Sequence, residues 1–297
     1  MKISARTKIV GIFGYPIHHS LSPIFHNAAF AKLGLDFIYF PFSVKPKDLK
    51  EAVQAIKSLN MVGVNVTIPH KERILPYLDE ISSEAKMIKA VNTVYNKKGK
   101  LIGYNTDGEG FLGSLRKEGK FNPEGKDVFM VGAGGAAYAI SFALIKAGIK
   151  KLTFTNRKLD FERARILFKH LKGTFKDRCE LLLIDFHKRN SRRILSKVDL
   201  FVDATSVGMR SSNDQLLIDP DLFSPDVFIY DIVYNRKTNL LKSAEERKLS
   251  SLGGLGMLLH QGALSFEIWT HRKAPLETMR ESLLVACRSS LEKKEKE

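Results

Sequence analysis

The chain has 297 residues, 44% of them hydrophobic, with 48 Lys and Arg against 32 Asp and Glu. That length and apolar content exclude a disordered chain and favour two domains with substantial cores. The net charge of +16 invites an anionic partner, but the cations are interleaved with acids (Lys117-Glu118, Glu245-Glu246-Arg247) and the dense stretch from Arg178 lacks interleaved aromatic rings, so no nucleic-acid partner is expected. Cys179 and Cys287 lie far apart without a C-x-x-C or histidine pattern, so neither a disulfide framework nor a metal site is expected. The basic N-terminus lacks an apolar h-region, and the expected location is cytoplasmic.

In chain order, Ile9–Phe13 reads as a strand, and a loop through Ser20 and Ser22 leads into a helix from Ile24, with Ser22 as N-cap and Pro23 as first helical residue. Two serines two positions apart, beside a helix N-terminus, also suit a carboxylate. Phe37–Val44 is a second strand holding Tyr39, and Pro46–Leu59 an amphipathic helix on Leu49, Val53 and Ile56. From Met61 to Lys71, Val62, Val64, Val66 and Ile68 alternate with Gly63, Asn65 and Thr67, predicting one apolar face and one face carrying an amide and a hydroxyl. Pro69 ends that strand and places His70 and Lys71 at its carboxyl end, where open α/β sheets hold ligands. Glu84–Ile88 reads as a helix, Ala90–Tyr95 and Leu101–Asn105 as strands, and Asp107 as N-cap of the next helix.

Between Lys126 and Lys158 the pattern is more specific. Val128–Val131 is a buried strand, Ala136–Lys146 a small-residue helix and Lys151–Thr155 the next strand. Val128–Ile145 carries no charge and is just long enough for a membrane span, but its glycines, the flanking charges and the strand that follows favour a βαβ unit. Gly132, Ala133, Gly134, Gly135 and Ala136 then form a turn into a helix N-terminus. In G-x-G-x-x-A form, Gly132 allows the tight turn, Gly134 lets backbone approach a pyrophosphate and Ala137 keeps helix and strand close. About 20 residues on, where NAD-binding units carry an acid, the chain reads Asn156, Arg157 and Lys158, with Arg163 in reach, a set that suits the 2′-phosphate of NADP; Asp160 in the same loop keeps NAD as the alternative. Phe161–Leu171 is a basic helix, Glu180–Ile184 and Leu200–Ala204 are strands, Thr205 and Ser206 open a polar turn, and Val227–Val233 is the last strand, ending at Tyr234. From Leu252 the chain is helical with Met257, Leu264 and Ile268 on an apolar stripe and Gln261 among them, and the charged tail from Leu291 is expected to fray.

Taken together, GYPIHHSLSP, NVTIPHK, AVNTV, NTDG, VGAGGAA with NRK, DATSVGM and GMLLHQGA resemble, in order and spacing, the shikimate dehydrogenases and the related quinate/shikimate dehydrogenases over nearly the whole chain. The resemblance implies a two-domain α/β fold. Residues 1–106 and 253–297 form a substrate-binding domain to which C-terminal helices return, and residues 107–252 a Rossmann-like NADP-binding domain. It implies reversible reduction of 3-dehydroshikimate to shikimate, a step of aromatic amino acid biosynthesis, in a monomer or homodimer with no membrane partner. By the same resemblance, Lys71 and Asp107 are the catalytic pair, Ser20 and Ser22 hold the substrate carboxylate, and Asn65, Thr67, Asn92 and Gln261 bind ring hydroxyls. Tyr234, Gly254 and Gly256 help fix the nicotinamide. Three positions depart from the family pattern, Asp203 (where asparagine is common), Asn235 and Gly253. A quinate-accepting enzyme using NAD or both cofactors is the close alternative; a catalytically silent nucleotide-binding regulator would lack Lys71 or Asp107, and both are present.

Overall fold

The computed structural model describes residues 3–294, which divide into two compact units. One holds the chain up to Thr106 together with the segment from Leu259 onward, and the other runs from Asp107 to Leu258.

The first unit contains β1 (Lys8–Gly14), α1 (Ser22–Lys32), β2 (Phe37–Ser43), α2 (Leu49–Ser58), β3 (Gly63–Val66), β4 (Glu80–Ile81), α3 (Ser83–Ile88), β5 (Thr93–Lys97) and β6 (Lys100–Tyr104). Its sheet has the order β2-β1-β3-β5-β6-β4. β1 pairs parallel with β2 and β3, whereas β5 is antiparallel to β3 and β6. The stripe Leu49, Val53 and Ile56 faces a core that includes Val64, Val66, Val91 and Val94, which is why this short helix is stable where it lies.

Two expectations change here. β3 is only four residues long and all four are buried, while Ile68 beyond it is 63% exposed. A strand with neighbours on both sides and cover on both faces has no polar face to show, so Asn65 lies in the interior. Nor is Ser22 a cap: it is the first helical residue of α1, Leu21 holds the N-cap position without a side-chain bond, and the Ser22 N–H donates to Ser20 Oγ at 3.3 Å.

The second unit runs through α4 (Asp107–Lys117), β7 (Asp127–Val131), α5 (Gly135–Lys146), β8 (Lys151–Thr155), α6 (Phe161–Phe175), β9 (Glu180–Leu183), α7 (Arg192–Leu195), β10 (Leu200–Asp203), β11 (Phe228–Asp231), α8 (Asn239–Glu246) and β12 (Ser250–Gly253). Every pairing in its sheet is parallel, in the order β12-β11-β10-β7-β8-β9. Numbered within the unit, that is 3-2-1-4-5-6 seen from the other edge, the order of doubly wound nucleotide-binding sheets. The uncharged run from Val128 is thus a strand and a helix, and no helix among the described residues is long and apolar enough to cross a membrane. β12 corrects the expectation that strands end at Val233; Ser-Ser-Leu-Gly carries no apolar run, and pairing with β11 alone makes it a strand. Asp107 is likewise the first residue of α4 rather than its cap.

Two helices close the chain, α9 (Leu255–Thr270) and α10 (Leu276–Lys294). On α9 the deeply buried apolar positions are Met257, Leu259, Ala263, Phe266 and Trp269; Leu264 and Ile268, expected on the stripe, are only half-buried because Gln261 and Ser265 take interior positions instead. The tail expected to fray from Leu291 is helical to Lys294, and its remainder lies outside the described residues.

Within the first unit, Gly63 admits Trp269: a Cβ there would lie 2.1 Å from Val94 O and 2.5 Å from Trp269 Nε1, the donor of a 3.0 Å bond to that same carbonyl. Gly63→Ala is expected to destabilise the protein by about 1–3 kcal/mol through overpacking. A urea midpoint equal to that of the wild type would show that the indole can shift without loss.

Candidate functional site

In the first sheet the strand order reverses between β1 and β3, so the chain leaves their carboxyl ends in opposite directions and opens a crevice there. The two departing segments are tied together. Thr67 N–H donates to Phe13 O at 2.9 Å and Tyr15 N–H to Ile68 O at 3.1 Å. A Cβ on Gly14 would stand 2.5 Å from Thr67 Cγ2, so the approach requires glycine. Ser20 and Ser22 ride on the segment after β1, and Thr67 and Lys71 on the one after β3. The Lys71 carbonyl accepts from Val91 N–H at 2.8 Å, which brings the segment carrying Asn92 alongside. His70, fully buried, anchors the turn by a 2.7 Å bond between Nε2 and Val44 O, and burial holds its pKa below the ordinary histidine value.

Beneath this edge lies a polar network that sequence reading reached only in part. Asn65 Nδ2 donates to Ser265 Oγ at 2.9 Å and to Thr93 Oγ1 and Asn92 O at 3.1 Å, and its Oδ1 accepts from Tyr39 Oη at 2.8 Å. Asn92 Nδ2 donates to Thr106 Oγ1 at 2.8 Å and to Gln261 Oε1 at 3.2 Å, while its Oδ1 accepts from Thr106 N–H at 2.9 Å. Both amides therefore have their N–H donors committed to protein acceptors, and Asn65, expected to bind a ligand hydroxyl, sits among partners of its own chain. Ser265, Thr93, Thr106 and His26 were missed. Ser265 lies four residues beyond Gln261 on the same helix face, a spacing that could have drawn attention to it. His26 stacks on Tyr39 with ring centroids 4.5 Å apart and planes 5° apart; full burial pushes its pKa down to about 3, so the ring is neutral.

The second unit carries the other expected residues. Gly132, Ala133 and Gly134 link β7 to α5, and Gly135 and Ala136 form the first turn of that helix. Gly132 has φ of 118°, and a Cβ on it would stand 2.7 Å from Ala204 O, whereas the space at Gly134 is open. Glycine backbone facing free space at the amino end of a 12-residue helix has the form of an anion cradle, as a pyrophosphate would need. Thr205 and Ser206 follow β10, the strand next to β7 across the switch point of this sheet, and Tyr234 follows β11. Asn156, Arg157 and Lys158 follow β8. Asn156 Nδ2 donates to Asp160 O at 3.0 Å, and the exposed Arg157 guanidinium pairs with the Asp160 carboxylate. Arg163 lies on the first turns of α6. Gly254 and Gly256 have steric reasons of their own: Cβ atoms there would meet Ile232 O at 2.0 Å and Ser114 Oγ at 2.3 Å. Asp107 opens α4 and is buried. Among the described residues no cluster of metal-ligating side chains occurs, and both cysteines are free.

A parallel sheet of this order with an open glycine cradle defines a dinucleotide-binding α/β protein, joined in one chain to a separate α/β unit. Comparison with known proteins narrows that class. Residues 12–94 match the shikimate dehydrogenase substrate binding domain and residues 254–284 the shikimate 5′-dehydrogenase C-terminal domain. The shikimate dehydrogenase (NADP(+)) of Alkaliphilus metalliredigens is 43% identical over 95% of this chain and 98% of its own length. The structure of shikimate 5-dehydrogenase from Listeria monocytogenes, in complex with shikimate and NAD, superposes with a TM-score of 0.88 at 40% identity, covering 95% of this chain and 98% of that one. A shikimate dehydrogenase in complex with NADP+ gives 0.87 at 37% identity, covering 96% and 98%. The chain belongs to the shikimate dehydrogenase family.

Removing the Tyr39 hydroxyl takes a donor from the buried Asn65 carbonyl. Tyr39→Phe is therefore expected to lower stability by about 1–3 kcal/mol, the usual cost of a buried polar group that loses its partner. Urea unfolding of the two proteins decides it; equal midpoints would mean that the network closes without Tyr39.

Proposed function

We propose that the protein catalyses the reversible, NADP-dependent reduction of 3-dehydroshikimate to shikimate, with Lys71 and Asp107 as the catalytic pair. The observation that carries this reading is that, at the switch point of the first sheet, the segments leaving β1 and β3 are bonded to each other (Thr67 N–H to Phe13 O, Tyr15 N–H to Ile68 O) and the Lys71 carbonyl to Val91 N–H, next to Asn92. Full-length similarity to enzymes named for this reaction supports it.

In this reading Ser20 and Ser22 offer hydroxyls to the substrate carboxylate at the amino end of α1, where the helix dipole favours an anion. Thr67, Asn92 and Gln261 line the ring, and Asn65 holds the wall behind them through Tyr39, Thr93 and Ser265. The dinucleotide, when bound, supplies the hydride. As negative charge develops on the ketone oxygen, the Lys71 ammonium donates a proton to it, with Asp107 as the second member of the pair. Gly132–Ala136 would cradle the pyrophosphate, with Asn156, Arg157, Lys158 and Arg163 around the adenosine ribose and its 2′-phosphate and Thr205, Ser206 and Tyr234 toward the nicotinamide.

Initial rates with shikimate and quinate, each with NADP and NAD, test the assignment: shikimate with NADP is expected to give the highest kcat/KM, and comparable rates with quinate or NAD would move the chain to the quinate-accepting branch. Lys71→Ala should lower kcat by at least ~100-fold with a smaller change in KM, as for a lost general acid. Near-normal turnover in the folded variant would remove Lys71 from the chemistry. Arg157→Ala should raise KM for NADP about tenfold or more, on the order of one lost charge-assisted bond, and leave NAD nearly unaffected. Equal losses for both cofactors would show that Arg157 does not read the phosphate.

A further inference from the structure

β10 and β11 are parallel neighbours, and a crossover between such strands is usually carried by a helix. Residues 204–227, which make the crossover here, contain neither a strand nor an α-helix. A stretch of that length keeps its shape through bonds to its surroundings, so where those bonds go is informative. Its first turn, from Thr205 to Met209, is held on one side by its own strand end and its own residues. Thr205 N–H donates to Asp203 Oδ1 at 3.0 Å, Val207 N–H to Thr205 Oγ1 at 3.1 Å and Met209 N–H to Ser206 O at 3.2 Å.

The remaining bonds come from the segment after β11. Asn235 Nδ2 donates to Met209 O at 3.0 Å and Arg236 Nη1 to Gly208 O at 3.4 Å, so consecutive carbonyls of the turn are taken by consecutive side chains of the other loop. The same Nη1 pairs with Asp214 Oδ2 at 2.9 Å, further along the crossover. Asp214 is itself fixed at the amino end of α8: its carboxylate oxygens accept from Asn239 N–H at 3.0 and 3.1 Å, and its carbonyl accepts from Asn239 Nδ2 at 2.7 Å. The side chains of Asp214 and Arg236 are 4% and 20% exposed, so water competes little for the pair. Gly208 admits this approach; its φ is 88°, and a Cβ on it would stand 2.7 Å from Thr238 Cγ2 and 3.2 Å from Asp214 Oδ1. Arg236 thus differs from the exposed Arg157: its charge is matched inside the fold, and what it does is join two loops.

We propose that Asn235, Arg236 and Asp214 strap the turn after β10 to the segment after β11, and so hold Thr205, Ser206 and Tyr234 in one arrangement for the nicotinamide end of the dinucleotide. The three are positioning residues, and their role rests on the dinucleotide reading above. They act on the backbone that carries Thr205, Ser206 and Tyr234, two carbonyls of the turn being the groups they bind. Without the strap the turn keeps only its local bonds, and a turn that holds the binding geometry about a tenth of the time binds its ligand about tenfold more weakly.

The test measures dissociation constants for NADPH and for 2′,5′-ADP, which has the phosphorylated adenosine and no nicotinamide. The proteins are wild type, Arg236→Met, Asp214→Ala and the double variant; Asn235→Ala is the milder change should the buried pair prove necessary for folding, which the apo-protein Tm reports. NADPH is expected to bind each variant about tenfold more weakly than wild type, and the double variant no worse than either single one, because both changes open the same strap. The affinity for 2′,5′-ADP is expected to stay at the wild-type value. Equal losses for the two ligands would overturn the proposal, as would unchanged NADPH binding in Arg236→Met or, where that variant does not fold, in Asn235→Ala. A loss in Arg236→Met that a folded Asp214→Ala does not share would also overturn it and make Arg236 a direct contact of the ligand. If wild type binds neither ligand, the dinucleotide reading fails and the proposal falls with it.

Discussion

At the switch point of each sheet the chain leaves one strand hard against the segment that leaves another, and in both places a side chain on the first would prevent it. Gly14 ends β1 with Thr67 Cγ2 only 2.5 Å from where its Cβ would be, and Gly132 follows β7 with Ala204 O at 2.7 Å. Strand order alone opens a crevice at such a point. The glycines decide how narrow it is, and so whether groups from two different loops can act on one small ligand. In the first unit this holds the segment that leaves β1 against Thr67 and Ile68; in the second it sets the turn after β10 beside the loop that leads into α5. The same local rule thus acts at the switch point of both sheets.

The polar groups beneath the first edge are held by one another rather than by solvent. Asn65, Asn92, Thr93, Thr106 and Ser265 are all buried, and each bonds to at least one of the others. In a low-dielectric interior such a network has a single satisfied arrangement, because each alternative leaves a donor or acceptor unpaired at a cost of about 1–3 kcal/mol. A neutral His26 stacked on Tyr39 adds ring contact without adding charge. The interior beneath the crevice is accordingly fixed by bonds among its own side chains.

Legibility in the sequence followed the number of physical constraints on each segment. The β7-α5-β8 unit was readable because an apolar run, three glycines and a second β-rich run each limit the alternatives, and its observed bounds differ from the expected ones by a residue or less. β12 and the two-residue β4 carry no pattern of their own; they are strands because a neighbour offers unpaired backbone groups. The alternation from Val62 to Ile68 pointed to a half-exposed strand, but tertiary cover on both faces overrode it and buried Asn65. Gln261 came from a motif, whereas Ser265, polar on an otherwise apolar helix, became informative only once its hydroxyl was seen against Asn65 and Thr93.

The loop after β8 shows how a contact alters the meaning of a residue. By sequence Asp160 argues against a phosphate, since a carboxylate repels it. In the fold Asp160 is already paired with Arg157, whose side chain is 68% exposed, so the acid is partly neutralised by the group that would read the phosphate. An exposed ion pair of this kind contributes about 0–1 kcal/mol. A phosphate that takes the guanidinium with two parallel bonds gains about 1.5–3 kcal/mol for each. Exchange of Asp160 for a 2′-phosphate is favourable on those magnitudes, and the released carboxylate can turn to solvent because Asp160 is itself one-third exposed. With NAD no such exchange partner would arrive, and Arg157 would stay with Asp160. A loop of that kind would discriminate by what the phosphate adds rather than by what it excludes, and if Arg157 reads the phosphate as proposed, its preference for NADP would be graded and dependent on ionic strength.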